Sequence, residues 1–145
     1  MSSPLENLAG PGKSLREEPP DENETRGLLR TGLARLKDAS NKKLALESRF
    51  DLAYNAAHAL SLAALRVKGL RPANRYIVFQ VLPHTLGLGP EVWRVLDKCH
   101  QTRNLGEYEG LLEIDECLVT DLITATQTVA DALQARLSPP PDKQA

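Results

Sequence analysis

The sequence predicts an all-α protein, an up-and-down helical bundle of four to five helices. Three observations carry that expectation. Leucine and alanine dominate the apolar residues while aromatics make up only 4% of the chain, a composition that favours helices over sheets. Apolar residues recur at 3–4 spacing over long stretches, the signature of one helix face turned to a core. Glycine and proline are concentrated between those stretches and at the termini, where they act as breaks. At 145 residues the chain is long enough to bury one ordinary core without metals or disulfides.

Residues 1–20 contain Pro4, Pro11, Pro19 and Pro20, two glycines and almost no apolar periodicity, so a disordered leader is expected. The helical domain is expected over 21–137, with a disordered tail over 138–145 that Pro139-Pro140-Pro141 would initiate. The first helical pattern runs from about Glu24 to Asp38, with Leu28, Leu29, Leu33 and Leu36 on one side. Ser40 and Asn41 then break it and are expected to cap the next. The second, from about Lys42 to Lys68, is the longest and richest in alanine. Leu46, Phe50, Ala53, Ala57, Leu60, Ala64 and Val67 form a stripe that Leu52, Ala56, Ala59, Ala63 and Leu65 widen. A helix apolar over so much of its circumference belongs at the centre of a bundle, and Gly69 supplies its stop.

The third pattern, about Ala73 to Leu86, includes Tyr76-Ile77-Val78-Phe79. That run could serve as a strand, but it is short and has no evident partner, so helix is preferred, kinked or shortened by Pro83. Gly87 and Gly89 form a turn, and Pro90 suits the first position of the fourth helix. The fifth starts near Asp115, an N-cap candidate followed by Glu116, and ends near Leu137.

A formal net charge of -1 argues against a strong nucleic-acid field from the whole molecule. The charges are segregated, however. Arg66, Lys68, Arg71, Arg75, Arg94, Lys98 and Arg103 make a basic stretch, and acids alone follow from Asn104 to Asp121, a pattern that two differently solvated helix faces would produce. Cys99 and Cys117 sit among apolar residues and read as structural rather than as a disulfide framework. No apolar run is long enough to span a membrane, so a cytoplasmic protein without membrane contact is expected.

The junction of the two charge blocks, Arg103-Asn104-Leu105-Gly106-Glu107-Tyr108-Glu109, is where a site is expected. At ~100° per residue, Arg103 continues the apolar stripe of Val92, Leu96 and Cys99, and an inward arginine must open onto a cleft or interface, or find a partner inside the bundle. Tyr108, five residues on, converges with Arg103 only if the helix breaks, for which Gly106 is the natural place. His100 shares an edge with Arg103 and Asn104. Arginine would hold a phosphate, asparagine would orient it, and a histidine or tyrosine would move a proton. A second polar set, Asp51, Tyr54, Asn55 and His58, shares an edge of the long helix and is read as a binding seam or cleft wall. Asp51 and His58 are two turns apart with no further ligands in view, so no metal is expected, and nothing in the sequence calls for a cofactor.

At these residues the chain resembles the HEPN domain family over roughly Asn41 to Leu137. The likeness rests on the long helix bearing Phe50-Asp51-Leu52-Ala53-Tyr54-Asn55-Ala56-Ala57, on the turn at Gly69, and on Arg103-Asn104-x-x-x-Tyr108. Catalytic members of that family carry an Arg, a polar residue, then four to six residues and a His, and their dimers join two such motifs in an RNA-cleaving cleft. Here Tyr108 stands where the histidine would be, and no histidine follows His100. The resemblance therefore implies a homodimeric RNA- or nucleotide-related binding module, non-catalytic or weakly catalytic, in a toxin–antitoxin system or partnered by a minimal nucleotidyltransferase. It moves Arg103 towards a cleft or dimer-interface role. Two alternatives accompany it: a metal-independent endoribonuclease toxin using Arg103 and Asn104 with Tyr108 or His100, and a dimeric interaction scaffold.

Overall fold

The computed structural model describes residues 5, 8–10, 13–74, 77–109 and 114–137, in residues 105–109 the backbone alone. The expected tail, 138–145, lies outside the described residues. The chain forms an all-α helical bundle of six helices with a single small two-stranded sheet among the described residues. Helix α1 spans Glu22–Ala39, α2 Leu46–Val67, α3 Ile77–Gln80, α4 Leu82–Thr85, α5 Pro90–Glu109 and α6 Glu116–Leu137. Among the described residues, no helix is long and apolar enough to cross a membrane.

Local chemistry sets most boundaries. Asp21 caps α1, its carboxylate accepting from the amides of Asn23 and Glu24 at 2.9 and 3.2 Å, with Glu22 and Glu24 in the positively polarised first turn. Ser40 and Asn41 do not cap α2 as expected. Asn41 Oδ1 instead accepts from the Lys43 amide within the connecting loop, and α2 begins only at Leu46, with no side-chain cap from Ala45. Gly69 ends α2 at φ +77°, its amide donating to the Arg66 carbonyl. Asp115 caps α6 by accepting from Leu118 N at 2.8 Å, and Pro90 opens α5, both as the sequence suggests.

The third pattern is divided. Helix does prevail over strand at Ile77-Val78-Phe79, but α3 stops at Gln80 and α4 restarts at Leu82. Pro83 has no N–H to give and its ring crowds the carbonyl one turn back, so one continuous helix cannot form; proline is tolerated in the first turn of α4.

Helix α2 is central. It packs most extensively on α1 and then on α6, and it also touches α3, α4 and α5. Phe50, Ala53, Ala56, Ala57, Leu60, Ala63 and Leu65 are all buried. The α1–α2 contact depends on a missing side chain: a Cβ on Gly32 would lie 2.7 Å from Leu60 Cγ and 2.8 Å from its Cδ2. Gly32→Ala gains up to ~1 kcal/mol of helix propensity but must force the pair apart, which costs ~1–3 kcal/mol. The expected outcome is a net loss of about 1–2 kcal/mol in urea unfolding. The double variant Gly32→Ala/Leu60→Ala should be less destabilised than the sum of its parts.

The leader departs from expectation. Leu15–Glu17 forms β1, paired antiparallel with β2 (Leu70–Pro72), Leu15 opposite Pro72 and Glu17 opposite Leu70. Leu5 and Leu15 are buried in the core. Three-residue strands are too short to show periodicity, so nothing in the sequence announced them.

An arginine network holds this segment. The Arg66 side chain is 1% exposed. Its Nε donates to Glu24 Oε1 at 2.7 Å, Nη1 to the carbonyls of Glu18 (2.9 Å) and Leu70 (3.1 Å), and Nη2 to that of Pro19 (2.7 Å). Arg71 donates to Glu18 Oε2 at 2.6 Å and to both Glu24 oxygens at 3.0 and 2.8 Å. Proline offers a carbonyl but no N–H, and the guanidinium supplies the donors its neighbours lack. Two members of the expected basic stretch, Arg66 and Arg71, are thus consumed internally rather than solvated.

Candidate functional site

The site residues come from two helices. Tyr54 of α2 is 1% exposed and points at the C-terminal half of α5. Its ring lies nearly parallel to those of Phe50 (centroids 6.4 Å, planes 19° apart) and His100 (6.2 Å, 21°). Phe79 of α3 meets Tyr54, His58 and His100 edge-on at 5.9, 6.3 and 6.4 Å, a geometry in which positive ring edges face negative ring faces.

Arg103 completes the group. Its Cζ lies 4.8 Å from the centroid of the Tyr54 ring, within the range of a cation–π interaction. Val92, Leu96 and Cys99 are buried as the stripe requires, and Arg103 is half-buried at its end. The question posed by an arginine on an apolar face is answered by the aromatic face of Tyr54, which accepts the stem and the charge together.

His100 links the two helices. The Tyr54 hydroxyl lies 2.8 Å from His100 Nδ1, and Asn104 Nδ2 lies 3.2 Å from His100 Nε2. If Asn104 Nδ2 donates, Nε2 is the acceptor and Nδ1–H donates to the tyrosine oxygen. With the amide turned over, Nε2–H donates to Asn104 Oδ1 and the Tyr54 hydroxyl donates to Nδ1. Both ring nitrogens are engaged in either arrangement.

The polar set of α2 therefore divides. Tyr54 and His58 turn towards Phe79, whereas Asp51 is exposed and its carbonyl accepts from Asn55 Nδ2 at 2.8 Å. The four do not make one wall: Tyr54 and His58 join the aromatic group, and Asp51 and Asn55 bond to each other. The expected break at Gly106 does not form either. Helix α5 is continuous to Glu109, because a single glycine costs a helix only ~1 kcal/mol and does not by itself end it. Positions 103 and 108 thus stay ~140° apart around the axis, and the Tyr108 side chain lies outside the described residues.

Phe50 and Phe79, which wedge the tyrosine and histidine in place, were legible only as core residues. Their role comes from the α2–α3–α5 crossing, which has no sequence signal. Cys99, one residue from His100, is completely buried, and desolvation pushes its thiol up to about 12, so it stays protonated at neutral pH and offers no nucleophile.

Compared with known protein families, with curated proteins and with solved structures, the chain shows no match.

Proposed function

We propose that the chain is a HEPN-like RNA- or nucleotide-binding module, homodimeric, non-catalytic or weakly catalytic, belonging to a toxin–antitoxin or nucleotidyltransferase-partner system. The observation that carries the binding reading is the pairing of Arg103 with Tyr54 beside the His100–Asn104 link. An arginine guanidinium over an aromatic ring keeps its charge while its stem packs, and guanidinium groups recognise phosphate oxygens in pairs. Asn104, on the same turn, stands where it can orient such a group. The occupation of both His100 nitrogens supports binding over cleavage, because a general acid or base must present a nitrogen to the substrate within hydrogen-bond reach.

Titrating the full chain with mixed RNA at fixed salt, without divalent metal, tests this reading. Arg103→Ala is expected to weaken binding about tenfold or more, the loss of a charge-assisted contact worth ~1.5–3 kcal/mol, while intact RNA is recovered from both proteins. Robust metal-independent cleavage abolished by Arg103→Ala would replace this reading with the endoribonuclease one. Unchanged RNA affinity, together with a shift from dimer to monomer in sedimentation, would replace it with the scaffold.

A further inference from the structure

A second group of cations lies away from Arg103, where the end of α1, the loop before α2 and the first turns of α6 meet. A cleft of about 230 Å³ opens there, lined by Ser40, Lys42, Arg49, Glu116, Thr120 and Thr124 among others. Arg49 forms its floor. The Arg49 side chain is only 5% exposed, and its Nε donates to the Ala39 carbonyl at 2.9 Å, at the negative end of the α1 dipole. Its other hydrogen bonds among the described residues run from Nη1 to the two oxygens of Glu116, at 3.2 and 3.4 Å.

The Glu116 side chain is 61% exposed, and among the described residues its carboxylate meets Arg49 alone. An exposed carboxylate on a buried guanidinium is the kind of pair that another anion can replace. Thr120 and Thr124, one helical turn apart on α6, line the same cleft, as does Lys42. Two cations and two threonines thus share the cleft with one largely exposed carboxylate.

We infer that this cleft is a binding site for a phosphate dianion, with Glu116 as a displaceable stand-in for the ligand. A phosphate dianion offers three strong acceptor oxygens where the carboxylate offers two and carries twice its charge, so it satisfies Arg49, Lys42 and the threonines at once. Glu116, the first residue of α6, swings into solvent at little cost when displaced. Its negative charge opposes entry, and this makes the site weak in the wild-type chain and tunable at a single position.

Calorimetric and amide-NMR titration of the full chain with inorganic phosphate at constant ionic strength tests the inference. Arg49 anchors the end of α1, so the variants are made around it. Saturable millimolar binding is expected, with the amide shifts centred on Thr120 and Thr124. Glu116→Gln should tighten binding about threefold or more and Lys42→Ala weaken it by a similar factor. Arg103→Ala should leave the amide shifts at Thr120 and Thr124 unchanged, and Glu116→Gln should leave RNA affinity at Arg103 unchanged, so either site can fail without the other. The source of the phosphate is read from parallel titrations with a nucleoside 5′-monophosphate and with an oligoribonucleotide carrying or lacking a 5′-phosphate. Tighter binding of a phosphorylated species assigns the site to that species, and equal binding assigns it to the free ion. Absence of saturable binding in both wild type and Glu116→Gln, or shifts centred on Arg103 instead, would overturn the inference.

Discussion

Arg66→Ala is expected to cost about 3–5 kcal/mol of folding free energy, the usual penalty for breaking a buried ion pair from one side. The loss is large because the guanidinium serves five oxygens at once: one carboxylate oxygen each of Glu24 and Glu18, and the carbonyls of Glu18, Pro19 and Leu70. Without it, the Pro19 carbonyl loses the donor that fixes the approach to α1, Glu24 is left to Arg71, and Glu18 to Arg71 and the exposed Arg16. Urea unfolding measures the loss. Amide exchange locates it, with protection expected to fall first in Leu15–Glu17 and Leu70–Arg71, the two sides of the small ladder. A loss below ~1 kcal/mol would show that the network is closer to a surface ion pair than to a clamp.

The same network gives stability an acid limb. Glu18 is held below the ordinary value of 4.5 first by its hydrogen bond from Arg71, and Glu24 first by its hydrogen bond from Arg66 and then by that from Arg71. A carboxylate whose folded pKa is depressed stabilises the fold fully above its unfolded value. That contribution is lost as the pH falls through the folded one. Stability should therefore decline as the pH drops below about 4.5, and Glu24→Gln should flatten the decline while lowering stability at neutral pH. An acid limb of equal steepness in wild type and variant would remove Glu24 as its source.

Tyr54→Ala is expected to have a comparable effect on stability, about 3–5 kcal/mol for an aromatic truncated in a core, and it also removes the surface on which Arg103 lies. Tyr54→Phe separates the two roles. Phenylalanine keeps the packing against Phe50 and Phe79 and the aromatic face under Arg103, but it loses the hydrogen bond to His100, worth ~0.5–1.5 kcal/mol. If Arg103 is the group that meets phosphate, the phenylalanine variant should bind RNA within about twofold of wild type, whereas the alanine variant should bind as poorly as Arg103→Ala at temperatures where it remains folded. RNA affinity lost in the phenylalanine variant would transfer the binding role from Arg103 to the Tyr54–His100–Asn104 link.

The contrast between α2 and its surroundings shows which information is local. The wide apolar stripe from Leu46 to Val67 marks α2 as the central helix, and the structure buries most of it, although Val67, at the last turn beside the Gly69 stop, is 38% exposed. Asp21, although outside the first pattern as read, is an ordinary N-cap that extends α1 to Glu22. Gly106 shows the opposite case: a lone glycine suggests a helix stop, but a stop also needs the closing residue to adopt a left-handed backbone. Gly69 and Gly87 have positive φ at their turns, and the helix runs straight through Gly106.

At the candidate site, the inward face of Arg103 followed from helical phase alone. Its partner did not, because Tyr54 is 49 positions earlier in a polar set whose other half, Asp51 and Asn55, faces away. The sequence by itself determined the helical class, the central helix and most caps and stops, since these depend on side chains within about one turn of each other. Only the tertiary structure decided that Tyr54, His100 and Arg103 meet, that Arg66 clamps a proline-rich segment into the fold, and that Arg49 floors a cleft. Each of these is a contact between elements distant in the chain, and such contacts are set by how helices cross, which leaves no periodic trace along the sequence.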